Sequence, residues 1–85
     1  MSDAVVESSE IDDEVLRFLE TKTKIRWGTD QDLFASGVVS SMFAMELVVY
    51  LESTFGIVIL GPDLQMDNFR TVRAMTDLVT RLRGA

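Results

Sequence analysis

Residues 40–56, SSMFAMELVVYLESTFG, decide the fold because their apolar side chains repeat with the period of an α-helix. A serine at position 40 or 41 can cap the amino end, and Gly56 can end the helix in a left-handed conformation. The stretch therefore predicts a helix that begins at Ser40 or Ser41 and ends near Phe55. Its core-facing row consists of Ala44, Leu47, Val48, Leu51 and Phe55.

The same helix carries a second apolar row that has no obvious place in a core. Met42, Met45 and Val49 follow one another at i, i+3 and i+7. One helix of a small domain rarely has core on both sides, so this row predicts contact with something else. A partner protein, a ligand and the preceding loop are all open alternatives.

Two further main helices are predicted, one on each side of this stretch. The first covers residues 10–23, with Ser9 as its N-cap, and the last follows Thr71 as N-cap and continues to about Arg83, where Gly84 closes it. Their core-facing stripes are Ile11, Val15, Phe18 and Leu19 in the first helix, and Val72, Met75, Leu78, Val79 and Leu82 in the last.

The connections complete an all-α prediction. Residues 25–40 lose helical periodicity and form a long loop between helices one and two, with Leu33 and Phe34 as apolar anchors. Residues 63–67, which follow Pro62, are predicted to form a short third helix or a turn. We expect a four-helix bundle of three main helices and one short helix, with residues 1–8 flexible and residues 9–85 forming the domain.

Composition excludes several classes of function. The chain has 85 residues, no cysteine and no histidine, which removes disulfides, thiol nucleophiles, a Ser-His-Asp triad and histidine metal sites. A net charge of −6 disfavours nucleic acid, and no apolar stretch is long enough to span a membrane. We expect a cytoplasmic monomer with no catalytic site and no metal site of its own.

Residues 32–42, DLFASGVVSSM, resemble the attachment site of acyl and peptidyl carrier proteins. In that family a loop with an apolar anchor and a glycine leads into an Asp-Ser-Leu triplet at the start of the second helix. The triplet here is Ser40-Ser41-Met42. The likeness continues through Glu46, Leu47, Leu51, Glu52, Phe55, Gly56, Ile57, Ile59, Asp63, Phe69, Thr71 and Val72.

The resemblance implies a covalent cofactor and a set of partner enzymes. A phosphopantetheinyl transferase would attach 4′-phosphopantetheine from coenzyme A to Ser41, which lies fourteen residues before Phe55 as the family register requires. An acyl-loading enzyme would then place a thioester on the arm for a downstream synthase or tailoring enzyme. Ser40 replaces the usual aspartate; it keeps the capping role but removes a negative charge.

The resemblance also implies a docking surface on the second helix. Its predicted partner-binding residues are Met42, Phe43, Met45, Glu46, Val49 and Glu52. Methionine side chains adapt to several partners, and Phe43 stands where many family members have a polar residue, so we expect it to tune partner choice without supporting the fold.

The cargo is predicted from two short segments. Residues 41–45 and 67–71 resemble discrete polyketide-pathway carriers of glyceryl, methoxymalonyl or hydroxymalonyl units. A fatty-acid-type carrier and a peptidyl or D-alanyl carrier are the alternatives within the family. Outside it, a helical adaptor without a prosthetic group would explain the methionine row, and a small catalyst using Glu46 or Glu52 is the enzyme alternative.

Overall fold

In the computed structural model, which describes residues 3–84 and their side chains from Ser9 onward, three α-helices and two short 3₁₀ turns follow one another. Helix α1 spans Asp3–Thr23, α2 spans Ser41–Phe55 and α3 spans Val72–Gly84. The 3₁₀ turns cover Gly61–Asp63 and Met66–Phe69. No strand occurs within residues 3–84, so the predicted all-α bundle with a long first loop is confirmed.

The amino end of α1 lies earlier than the sequence predicts. The helix begins at Asp3, so Ser9 lies inside it and the prediction of Ser9 as N-cap is wrong. The physical reason is the absence of glycine and proline between Asp3 and Thr23, which leaves nothing to stop the helix. Residues 1 and 2 are outside the described part, and the flexibility of residues 1–8 stays a prediction.

The predicted short third helix is also corrected. Residues 63–67 do not form one helix, because Leu64 leaves the helical region at φ −84° and ψ 65° and separates the two 3₁₀ turns. The Asn68 side-chain amide donates to the Asp63 carbonyl over 2.8 Å and fixes the second turn against the first. This segment runs back along α2, from the carboxyl end of the helix toward its amino end.

The core is formed by all three helices, the loop and the connection after α2. Its buried members are Ile11, Val15, Leu19, Trp27, Leu33, Val39, Ala44, Leu47, Leu51, Ile57, Ile59, Phe69, Val72, Met75, Leu78 and Val79. The predicted stripes therefore face inward, with Phe18, Val48, Phe55 and Leu82 half-buried at the margin. Within residues 3–84 no helix is long and apolar enough to cross a membrane.

The long loop is fastened to the segment that leads into α3. Leu33 donates its amide to the Arg70 carbonyl over 2.8 Å, and Arg73 donates its amide to the Thr29 carbonyl over 2.9 Å. Leu33 is completely buried, as predicted, while Phe34 is half-buried beneath the Arg70 guanidinium. The loop is thus a packed element that sets where α2 begins.

Two exposed ion pairs reinforce this attachment and make it sensitive to acid. The Arg73 guanidinium bonds Asp30 at 2.6 Å and lowers the pKa of that carboxyl below its ordinary value. Partial burial raises the pKa of Asp32, but the Phe34 and Ala35 amides and Arg70 outweigh it, and the net shift is downward. A carboxyl group whose pKa is lower in the folded state than in the unfolded state stabilises the fold at pH values above its unfolded-state pKa. This stabilisation is lost as pH falls through the folded-state pKa.

We therefore expect the melting temperature to fall as pH drops below about 4, with a shallower fall in Asp30→Asn. Asparagine has no titratable carboxyl group, so the variant lacks the ion pair with Arg73 at every pH. The wild-type chain loses that ion pair gradually as pH falls. Thermal unfolding followed by circular dichroism between about pH 7 and about pH 2.5 measures this. Asp13→Asn, at an exposed site on α1, is the matched control and should follow the wild-type profile. An Asp30→Asn profile parallel to wild type would contradict the assignment.

Candidate functional site

The two serines at the start of α2 have different environments. Ser40 has extended backbone angles, φ −93° and ψ 171°, and its hydroxyl accepts the Phe43 amide over 3.3 Å. Its carbonyl accepts the Ala44 amide over 3.0 Å. Ser40 is therefore the N-cap of α2, as predicted, and its hydroxyl is used by the helix.

Ser41 is the first residue of α2 and its side chain is exposed. Among the side chains described, from residue 9 to residue 84, none bonds the Ser41 hydroxyl. The hydroxyl can therefore enter the active site of another enzyme without breaking a bond of its own fold. None of the described residues that line the groove beside Ser41 is ionisable, and we expect a partner enzyme to activate this oxygen.

The amino end of α2 favours a negative group on Ser41. The first turn of α2 contains no acidic residue, and the backbone N–H groups at a helix start carry partial positive charge. A phosphodiester placed there gains from the helix dipole and meets no repelling carboxylate from that turn. Ser40 contributes to this neutrality, because it caps the helix without a charge.

A surface groove of about 190 Å³ begins beside Ser41 and lies between α2 and the second 3₁₀ turn. Its walls are predominantly apolar and consist of Ala44, Met45, Val48, Leu64, Gln65, Met66 and Phe69. An exposed hydroxyl at a helix start with an apolar groove next to it fits a flexible arm bound through phosphate. The residues present are thus compatible with a phosphopantetheine group.

The end of the loop fixes the approach to Ser41. Val39 is buried in the core, whereas Val38 is exposed. Gly37 has φ +79°, a left-handed value that a side chain would strain, and its amide bonds the Phe34 carbonyl over 3.1 Å. A tight turn and a buried valine therefore hold the two serines in register with α2.

The predicted docking row is exposed in the structure. Met42 is 83% exposed, and Met45 and Val49 are each 61% exposed. The preceding loop does not cover them, which removes one of the alternatives that the sequence left open. An apolar row of this size at the surface is typical of contact with a partner or ligand.

The other predicted docking residues have partners within the chain. Phe43 is half-buried and its ring stacks over Phe18 at 6.1 Å between centroids. Glu46 pairs with Lys22 at 3.8 Å, and the Glu52 carboxylate accepts the Ile59 amide over 2.9 Å. These contacts were not predicted from the sequence. Phe43 and Tyr50 lie on one row of the helix, and this shared row could have indicated an aromatic contact there.

Phe43→Asp is therefore expected to destabilise the fold, which corrects the expectation that Phe43 only tunes partner choice. The change removes a half-buried ring from the stack with Phe18 and brings a charge toward it, at a cost of about 1–3 kcal/mol. Urea unfolding followed by circular dichroism measures the loss. Met45→Asp, on the same helix but exposed, is the control and should change stability by less than about 0.5 kcal/mol. Equal midpoints for both variants would contradict the packing role.

Comparison with known proteins agrees with this geometry. Residues 10–79 match the family model described as "Phosphopantetheine attachment site". That span covers most of the chain, so the chain belongs to the phosphopantetheine-binding carrier proteins, a family whose domain carries covalently attached 4′-phosphopantetheine. No solved structure matches.

The chain is similar to several curated D-alanyl carrier proteins. It is 41% identical over 56 residues to the D-alanyl carrier protein of Streptococcus thermophilus, an alignment that covers 66% of this chain and 71% of the relative. It is 39% identical to the D-alanyl carrier protein of Streptococcus sanguinis and 38% identical to that of Streptococcus mutans over the same length and the same shares of each chain. The likeness to polyketide carriers is not confirmed by these relatives.

Proposed function

We propose that this chain carries a small acyl unit as a thioester on a phosphopantetheine arm attached to Ser41. The observation that carries the proposal is the contrast between the two adjacent hydroxyls: Ser40 is bound into the helix cap, and Ser41 is exposed without a partner. The family match supplies the chemistry of the cofactor.

Attachment needs little from the chain itself. In the proposed reaction the Ser41 oxygen would attack the pantetheine phosphorus of coenzyme A, the bond to the bisphosphorylated adenosine would break, and the hydroxyl proton would pass to a base of the transferase. The helix start then stabilises the phosphodiester charge. The bound cofactor supplies a terminal thiol, which the cysteine-free chain lacks. Catalysis belongs to the partner enzymes, and we place the chain with them in the cytoplasm.

We propose D-alanine as the first cargo to test. The support is the D-alanyl carrier proteins that this chain resembles over two thirds of its length. Loading would join the carboxyl group of D-alanine to the thiol, with ATP cleaved to AMP and pyrophosphate to drive the condensation. A small polar unit of this kind suits a site whose neighbouring groove measures only about 190 Å³.

Polyketide extender units are the second candidate. Their support is the resemblance of residues 41–45 and 67–71 to carriers of glyceryl and methoxymalonyl-type units. These units are also three-carbon and polar, so groove size alone does not separate the two candidates. Recognition by the loading enzyme separates them.

Intact-mass measurement tests the carrier function. The chain is incubated with coenzyme A, Mg²⁺ and a broad-specificity phosphopantetheinyl transferase, and we expect a gain of one phosphopantetheine group. No gain with several transferases would favour a helical adaptor without a prosthetic group. A reaction without transferase is the control for non-covalent coenzyme A.

The cargo is tested on the modified protein. One sample receives D-alanine, ATP and a D-alanine-activating ligase, and another receives a glyceryl donor with a glyceryl-loading enzyme of polyketide pathways. We expect the D-alanyl thioester, detected by mass and released by hydroxylamine. Glyceryl loading without D-alanyl loading would transfer the assignment to the polyketide candidate.

A further inference from the structure

Arg70 directly follows the second 3₁₀ turn, and its side chain bonds two separate segments of the chain. Its guanidinium pairs with Asp32 of the long loop at 3.3 Å and with Asp67 of the second 3₁₀ turn at 3.1 Å. The same group lies 5.9 Å from the centre of the Phe34 ring, within the range of a cation–π contact. One side chain therefore joins the loop that leads to Ser41 to the turn on the far side of the groove.

The Asp32 carboxylate that receives this bond also shapes the loop on its way to Ser41. It accepts the Phe34 amide over 3.0 Å and the Ala35 amide over 3.1 Å. The Phe34 carbonyl in turn accepts the Gly37 amide over 3.1 Å. These bonds fix the turns through which the chain passes shortly before α2 begins, so the guanidinium acts on the approach to the proposed acceptor.

The backbone of Arg70 adds a further bond to the same loop. Its carbonyl accepts the Leu33 amide over 2.8 Å. The residue before it, Phe69, is buried and lines the groove together with Ser41. Exposed ion pairs are weak singly and count for more when several charges share one network, as two carboxylates share this guanidinium. A shift of the loop relative to Arg70 would therefore affect the start of α2 and the groove together.

We infer that Arg70 is a positioning residue for the attachment of phosphopantetheine to Ser41, acting through the loop and not through the hydroxyl itself. This inference rests on the proposed function, because it requires Ser41 as the acceptor. The guanidinium holds the loop and the second 3₁₀ turn at a fixed separation, and a transferase has to fit against both to reach the serine. Without it, Asp32 and Asp67 lose the cation between them, and their like charges repel.

The kinetic consequence is a change in KM and not in kcat. When only a fraction of the chains has the loop in the position that the transferase binds, the apparent affinity falls by that fraction. The chains that do bind have the loop in place, so the step that follows proceeds at the wild-type rate.

Arg70→Met is the first variant to measure, because methionine keeps an unbranched apolar stem and removes every bond of the guanidinium. With the transferase that is fastest on the wild-type chain, we expect KM for the carrier to rise about threefold or more and kcat to change less than about twofold. Arg70→Lys should give an intermediate KM, because an ammonium group lacks the planar fork that holds two carboxylates. Initial rates by intact mass, well below each melting temperature, give both constants.

Arg73→Met is the matched control. The Arg73 guanidinium bonds Asp30 at 2.6 Å and its amide bonds the Thr29 carbonyl, so this arginine fastens the same loop upstream of the turns that Asp32 shapes. Its loss should lower the melting temperature about as much as the loss of Arg70, yet leave KM within about twofold of wild type. The comparison separates positioning from stability.

Amide hydrogen exchange measured by NMR is a readout that needs no transferase. The Phe34 and Ala35 amides should exchange at least about threefold faster in Arg70→Met than in the wild-type chain. In Arg73→Met the same two amides should stay within about twofold of wild type. Amides in the buried part of α3 should exchange alike in all three chains.

Each outcome has a distinct meaning. A wild-type KM in Arg70→Met, or unchanged exchange of the two loop amides, overturns the positioning role while the carrier function stands. An equal rise in KM for Arg70→Met and Arg73→Met also overturns it, since the effect then follows stability. A fall in kcat at constant KM overturns it as well, because the loss then lies in the bound complex. Failure of the wild-type chain to accept phosphopantetheine from several transferases overturns the proposed function itself.

Discussion

Ser41→Ala is expected to gain no phosphopantetheine under conditions that modify the wild-type chain completely. Of the two serine hydroxyls at the start of α2, the variant lacks the one that has no hydrogen bond to the described part of the chain. Ala is a good helix former and Ser40 still caps the helix, so the fold should be retained. Intact mass after overnight reaction, with circular dichroism as the folding check, measures the effect.

Ser40→Ala is the matched control for that result. It removes the hydroxyl that accepts the Phe43 amide and should cost about 1 kcal/mol of stability. Because Ser41 is untouched, the variant should still gain one phosphopantetheine group. Modification of Ser41→Ala, or its loss in Ser40→Ala alone, would assign the attachment to the other serine.

Leu33→Ala is expected to lower stability by about 2–5 kcal/mol, a large part of the total for a domain of this size. Leu33 is 0% exposed, and the backbone around it is fixed by the bond to the Arg70 carbonyl, so the site has little freedom to collapse around the cavity. A loss of this size corresponds to a fall in melting temperature of at least about 10 °C. Thermal and urea unfolding measure it.

Val38→Ala is the control for the loop substitution. Val38 lies in the same loop but is 45% exposed, so its truncation should cost less than about 0.5 kcal/mol. Because Leu33 anchors the loop that leads to Ser41, the proposed attachment site, Leu33→Ala should also slow modification near its own melting temperature. Equal stability of the two variants would show that the loop does not depend on this anchor.

The helices and the cap of α2 could be predicted from the sequence because their signals are local. The apolar period of 40–56, the serine cap and Gly56 at φ 64° are properties of neighbouring residues. The start of α1 could not be predicted as well, because a serine that can cap a helix is also tolerated inside one. The cargo could not be predicted in the same way: two short segments resemble polyketide carriers, whereas the relatives described above are D-alanyl carriers.

The roles of side chains on α2 depended on contacts between distant parts of the chain. Phe43 and Glu52 could be placed on the helix from the sequence, but their partners Phe18 and Ile59 lie on other elements. Periodicity assigns a residue to a face and does not say which neighbour covers that face. The difference between the exposed Met45 and the half-buried Phe43 can therefore be seen only in the folded molecule.

The sequence by itself determined an all-α carrier fold and the cap at Ser40, because capping and periodicity are encoded within a few residues of one another, and the family register makes Ser41 the proposed acceptor. The tertiary structure alone decided which hydroxyl and which apolar side chains remain accessible. Accessibility depends on what the loop, α1 and the 3₁₀ turns cover, and those segments meet α2 from positions far along the chain. That packing leaves Ser41 uncovered together with Met42, Met45 and Val49.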